Sequence, residues 1–262
     1  MASREQQRAG DGERWDRRLL EDAADYAVGG LAGLTETERF LPTPCAGWDL
    51  ERLLSHLDAS VRALREGFST GRVAPPPPSP PPGCSPLPAP DPPSRPAPSA
   101  RAAGHAPPGS SAGRGRAAVP VRGPDSRSGT AAPHGAAPGP ASVAAHARCL
   151  AGRVAELPVL CRGAHEQGLR AAVLVDGHPL ARTLFLRTGA LELTVHGWDI
   201  RRARSAADTG PPPGPLAERL LTVLPALLPQ PRDRGTLFAA PVPVAVTADA
   251  GTRLLAGLGR SL

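Results

Sequence analysis

Three side chains in this sequence have the types and spacing to hold a divalent metal ion. Glu192 and His196 are four residues apart in a stretch whose apolar residues, Leu184, Leu191, Val195 and Trp198, keep helical spacing. On a helix they project from one face, about one turn apart. His56 lies between Leu53 and Leu57 in a second such stretch. All three sit beside an apolar stripe, so they are expected to point inward or to its edge. An interior carboxylate without a partner is costly. Two kinds of partner satisfy Glu192: an arginine on a facing helix, or a metal shared with His56 and His196. His, Glu and His form a common three-ligand set that leaves a fourth position open, as a catalytic site needs. An E-x-x-x-H pair by itself is frequent on helix surfaces, so the flanking residues matter.

The other five histidines carry less. His105 and His134 fall in a proline-rich stretch, and His146, His165 and His178 fall near helix starts or loops, where a solvated side chain is expected. Cys45 precedes the His56 helix. A nucleophile there would need its pKa lowered by the helix N-terminus, and a loop cysteine is the simpler expectation. Trp48 and Trp198 each follow a glycine beside a ligand-bearing stretch, and core packing is expected of them ahead of substrate stacking. Asp199 has two roles open to it: orienting a ligating imidazole, or pairing with Arg201 or Arg202.

The elements that must position these residues read as helices. Trp15, Leu19, Ala23, Tyr26 and Gly30 recur at steps of three and four. A loop over Thr35–Trp48, broken by Pro42, Pro44 and Gly47, leads to Asp49, a predicted N-cap. The next helix carries Leu50, Leu53, Leu54, Leu57, Val61 and Leu64. A third helix carries Val143, Ala147, Leu150, Val154 and Leu157, and Pro158 is expected to end or kink it. The Val-rich piece 172–175 precedes an Asp176-Gly177 turn, and Pro179 suits the first turn of a helix running to about Arg204. Leu216–Leu228 reads as a fifth helix, 241–247 as an edge strand, and 248–258 as a last short helix. Long amphipathic helices with few strands and long connections predict a mainly α, antiparallel helix bundle with a short C-terminal α/β extension.

Composition sets further bounds. The chain has 262 residues, 40% of them apolar but only 3% aromatic, so Leu, Val and Ala must build the core. Apolar runs long enough to cross a bilayer are missing, and Met1–Arg18 is charged throughout, so a soluble cytosolic protein is expected. Cys45, Cys84, Cys149 and Cys161 form no C-x-x-C pair, which argues against a disulfide scaffold or a cysteine zinc knuckle. Between Arg72 and Pro140 stand 21 of the 34 prolines, no aromatic residue, and seven arginines against Asp91 and Asp125. Such a segment cannot bury enough apolar surface to order itself. It also holds five of the six excess positive charges, so the folded part is nearly neutral and a specific nucleic-acid face is not expected. The predicted divisions are therefore 1–71 (first two helices), 72–140 (disordered insert), 141–210 (rest of the bundle) and 211–262 (extension). Lysine and asparagine are absent and Ile200 is the sole isoleucine, as in a very GC-rich gene. In such a gene the 72–140 composition has two origins open to it, a natural insertion or an out-of-frame stretch bounded by compensating indels.

Two segments carry a family resemblance. Thr43-Pro44-Cys45-Ala46-Gly47-Trp48-Asp49, continued by Leu53-Leu54-Ser55-His56, resembles the TPC-x-GW…L-x-x-H segment of the N-terminal family of mycothiol-dependent maleylpyruvate isomerases. Glu192-Leu193-Thr194-Val195-His196-Gly197-Trp198-Asp199 resembles that family's E-x-x-x-H-x-WD segment, and the Gly257-Leu258-Gly259-Arg260 ending is similar to that of a related actinobacterial subgroup. The match covers the first 70 residues and roughly 141–262. It implies a DinB-like antiparallel four-helix bundle and a divalent metal, usually zinc, on His56, Glu192 and His196. It also implies mycothiol as thiol cosubstrate and an electrophilic small molecule as its partner. The chain departs from the family at the 72–140 segment, where relatives have bundle helix, and in its shorter tail, so a maleylpyruvate substrate is not implied. Two other readings stay open: a non-catalytic metal- or ligand-binding bundle, and a protein that binds partners through its basic proline-rich segment.

Overall fold

The 3-4 spacing of apolar residues builds helices wherever the chain was read that way. In a computed structural model, residues 2–74, 142–166, 171–205, 209–228 and 239–262 are described, and their elements all belong to one compact unit. The proline-rich residues 75–141, with Cys84, His105 and His134, lie outside the described residues, as does the side chain of His165.

Helix α1 (Ala2–Leu31) starts well before Trp15 and buries Leu19, Leu20, Ala23, Ala24 and Ala27. Helix α2 (Leu50–Thr70) opens on the predicted cap: the Asp49 carboxylate accepts from the Arg52 backbone N–H at 2.9 Å, satisfying an otherwise orphaned donor. It closes on Gly71, whose left-handed φ of 70° suits glycine. Helix α3 (Val143–Glu166) runs straight through Pro158, which does not end it. Proline removes one intrahelical bond, but Leu150, Val154, Leu157, Cys161 and Ala164 stay buried on both sides of it. Tertiary packing of that stripe holds the helix.

A three-stranded sheet lies beside the helices in the order β1-β2-β3. Strand β1 (Arg72–Val73) pairs parallel with β2 (Ala172–Val175), which pairs antiparallel with β3 (His178–Ala181). Arg72 and Val73 therefore belong to the fold, and the boundary expected at residue 72 moves past them. The turn has Asp176 at φ 49° and Gly177 at φ 79°, the left-handed pair of a tight Asp-Gly hairpin. Pro179 falls in β3 and not in a helix. Proline fits either place, and on this edge strand its missing N–H is harmless.

Helix α4 (Arg182–Arg204) is central. From Gly189 to Ile200 every residue but Glu192 is buried. It packs on α1 and α2, which both also pack on α3, so the four helices close a ring around one apolar core. The α1–α4 contact is close: a Cβ on Gly30 would stand 2.8 Å from the Gly197 carbonyl oxygen. Arginines of α4 tie down the end of α1: Arg201 donates to the Tyr26 carbonyl at 3.0 Å, and Arg204 to the carbonyls of Ala32 at 2.8 Å and Gly33 at 3.1 Å just past the helix.

Helices α5 (Gly214–Leu227) and α6 (Ala250–Gly257) pack on each other and add Leu216, Leu220 and Leu254 to the core. The strand expected over 241–247 does not form. Pro241 and Pro243 lack the donors a ladder needs, and the Val242 N–H bonds the Ala256 carbonyl at 2.9 Å instead. Among the described residues the C-terminal extension is thus helical, without the β part expected of it. The protein is mainly helical with a small sheet, and none of its described helices is long and apolar enough to cross a membrane.

Candidate metal centre

The site begins with the loop before α2. Thr43 and Trp48 close it: the Thr43 hydroxyl donates to the Trp48 carbonyl at 2.9 Å, and the Trp48 N–H to the Cys45 carbonyl at 2.9 Å. Gly47, at φ 74°, makes the return possible. The loop sets Trp48 against the first turns of α2, with its ring centroid 5.1 Å from that of His56 and the Arg52 guanidinium over the ring, 5.0 Å from its centroid. Trp48 is half-buried and packs on the core. Trp198 is fully buried, and its indole N–H donates to the Gly210 carbonyl at 3.1 Å. Both tryptophans pack, as expected of them.

His56 on α2 meets Glu192 and His196 on α4. The Glu192 Oε2 lies 3.4 Å from His56 Nε2 and 3.2 Å from His196 Nε2. The two imidazoles stand edge to face, centroids 5.0 Å apart. One ligand atom from each of the three lies within 4.8 Å of the others. Among the described residues no arginine pairs with Glu192, so the structure brings together the histidine alternative and not the arginine one. This side is open: the His56 and Glu192 side chains are 39% and 35% exposed.

The other side of His196 is closed. Its Nδ1 lies 2.9 Å from Asp199 Oδ2, and the Asp199 side chain is 0% exposed. Arg260, beyond α6, donates to both carboxylate oxygens, Nη2 to Oδ2 at 3.0 Å and Nε to Oδ1 at 3.3 Å. The Cys45 thiol donates to the same Oδ2 at 3.3 Å and accepts from Arg260 Nη2 at 3.3 Å. Of the two roles open to Asp199, the imidazole contact is the one observed, and its arginine is neither Arg201 nor Arg202. Asp199 was visible three residues beyond His196. Arg260 was visible only as part of the terminal Gly-Arg.

Charge follows this geometry. Burial alone raises the Glu192 carboxyl, but hydrogen bonds from His196 and His56 hold it well below the usual carboxylate range. Burial likewise opposes ionisation of Asp199, and His196 and Arg260 outweigh it and lower its pKa. Burial pulls the His196 imidazole down, yet its bonds to Asp199, Cys45 and Glu192 push it well above its ordinary value. His196 thus stands between two carboxylates that favour its protonated form.

Of the other histidines, His146 and His178 have described side chains, and neither joins the site. His178 is exposed. His146 is more covered than expected: its Nε2 stands 3.9 Å from Asp58, a buried carboxylate that also takes Arg62 and Arg153.

The donor set could hold a divalent ion. Donors held at about 2.0–2.2 Å around a tetrahedral ion stand about 3.3 Å apart, close to the two Glu192–imidazole distances. A carboxylate bonded to the outer nitrogen of a ligating imidazole is the usual support of such a site. Cys45, Asp199 and His196 Nδ1 also lie within 4.8 Å of one another, but the guanidinium of Arg260 already supplies the positive charge there. Comparisons of the chain with protein-family models, with curated proteins and with solved structures give no match.

Proposed function

We propose that the protein is a divalent-metal-binding helical bundle of the DinB-like, antiparallel four-helix kind. In it His56, Glu192 and His196 hold the ion and a small thiol is activated for attack on an electrophile. The observation that carries this reading is the convergence of three donor atoms from two helices within 4.8 Å, on a half-exposed surface, with Asp199 behind one of them. The two motif segments support the finer reading, a mycothiol-dependent isomerase or S-transferase acting in the cytoplasm, with zinc as the metal. That likeness rests on their own residues.

Each residue has a stated task. His196 presents Nε2 because its Nδ1–H donates to the Asp199 carboxylate. His56 is braced by Trp48 at its edge. Glu192 supplies the anionic donor, one turn from His196 on the same face of α4. His56 and Glu192 are partly exposed, so a thiol can reach them from solvent, and Trp48 borders that side. A bound divalent ion supplies Lewis acidity there, lowering the pKa of a coordinated thiol toward neutral. The chemistry class is then addition of a thiolate to an electrophilic carbon.

The test is the metal content of the purified chain beside Glu192→Ala. About one divalent ion per chain, lost in the variant, supports the reading, and thiol-transfer assays on the loaded protein then separate an enzyme from a binding protein. An equal metal content in both proteins, or none in either, rejects the three-residue site.

A further inference from the structure

Arg260 reaches the metal centre from the far end of the chain. It follows Gly259, whose φ of 78° turns the backbone after α6. A side chain at Gly259 would meet the Ala239 Cβ at 2.4 Å, so the turn depends on glycine. The turn is tied by bonds from the Gly259 N–H to the Ala256 carbonyl at 3.0 Å and from the Arg260 N–H to the Leu255 carbonyl at 2.9 Å. The guanidinium then folds back, and one amino group holds the Leu258 carbonyl at 3.1 Å. Its other two N–H directions hold both oxygens of Asp199.

We propose that Arg260 is a positioning residue for the metal centre: it fixes the buried Asp199 carboxylate that orients the His196 imidazole. The inference rests on the metal reading above and extends it by one residue and one chain segment. A fully buried carboxylate needs a counter-charge, and Arg260 supplies one to both of its oxygens. A planar fork on two oxygens sets the plane of the carboxylate, which a point charge does not. With that plane fixed, Oδ2 faces His196 Nδ1 at 2.9 Å, and Nε2 is aimed at Glu192. The C-terminal tail is therefore part of the metal centre without touching the ion.

The test is cobalt(II) titration of the full chain, followed by visible absorption, with far-UV circular dichroism on every variant. Wild type is expected to take up cobalt with a ligand-field band. Arg260→Ala weakens the affinity about 10- to 100-fold, as loss of an outer support of a ligating histidine does. Arg260→Lys, which keeps the charge but not the fork, recovers part of it. In an Asp199→Asn background, Arg260→Ala costs little further, because its route to His196 is already cut. Should Arg260→Ala lose its helical signal, the same cycle is read with Arg260→Lys. Wild-type affinity and spectrum in Arg260→Ala overturn the proposal, and so does an equal loss with and without the Asp199 change, the mark of a merely structural role. Wild type that binds no cobalt overturns the metal reading and this inference with it.

Discussion

The two nitrogens of His196 look onto two groups of side chains of nearly the same chemistry. Nε2 faces Glu192 and His56, and Nδ1 faces Asp199 and Cys45. Residue type alone makes either group a metal site. They differ in two physical respects. The Nδ1 side already contains a cation, Arg260, and its carboxylate is sealed from solvent. The Nε2 side has two imidazoles around one carboxylate and is about a third exposed. A donor cluster with its own arginine has its charge balanced and its geometry set. A cluster of a carboxylate and two imidazoles beside solvent has both left to a ligand.

The contrast is broken most directly by deleting each carboxylate from metal-free protein. Asp199→Ala leaves Arg260 without its counter-ion in a largely covered place, and urea unfolding should show a loss of about 3 kcal/mol. Glu192→Ala should cost below about 1 kcal/mol, because its surroundings reach water. Equal losses would mean that the two sides are not closed and open in the sense described.

Metal affinity should reverse that order. A full set of four ligands is worth about 10–16 kcal/mol, so removing one costs on the order of 100- to 1,000-fold. Glu192→Ala is expected to fall in that range. Asp199→Asn keeps the bulk and removes the charge, and should cost about 10- to 100-fold. Competition with a chromophoric chelator measures both. A larger loss from Asp199→Asn than from Glu192→Ala would place the ion on the closed side.

The pH dependence sharpens the same comparison. His196 has its pKa raised in the folded metal-free protein. Its contribution to stability is full below the unfolded value of about 6.5 and is lost as pH rises through the folded value. Glu192 and Asp199 are lowered, so their contribution is present above about pH 4 and is lost on acidification through their folded values. Metal-free protein should therefore be most stable between about pH 4 and 6.5, and its melting temperature should decline on the alkaline side. His196→Gln should flatten that alkaline limb. A metal ion must displace the Nε2 proton, so uptake should strengthen as pH rises through the same value, with a proton released per ion bound.

How much of this was legible depended on distance along the chain. The bounds of α2 were readable because Asp49 and Gly71 mark them locally and six apolar residues share one face. The convergence of His56, Glu192 and His196 was readable because Glu192 and His196 are one turn apart and His56 sits in a matching stripe. Arg260 is 61 residues from Asp199, and no periodicity connects them. Asp58 with His146 and Arg153 was missed for the same reason, since the cluster spans α2 and α3 with 95 residues between Asp58 and Arg153. Pro179 failed differently: one residue type suits two local structures, and the pairing of β3 with β2 decided between them.

The smallest expected effect concerns Trp48, the wall of the open side. Its ring meets His56 edge-on at 5.1 Å, and such aromatic contacts are worth about 0.5–1.5 kcal/mol beyond burial. Trp48→Leu keeps apolar bulk against the core and removes that contact. Cobalt affinity should fall only a few-fold, because His56 is held mainly by α2, whose Leu53, Leu54 and Leu57 are fully buried. A loss as large as that of Glu192→Ala would mean that the loop, and not the helix, places His56. The open side would then be built as the closed side is, by a segment outside the helix that carries its histidine.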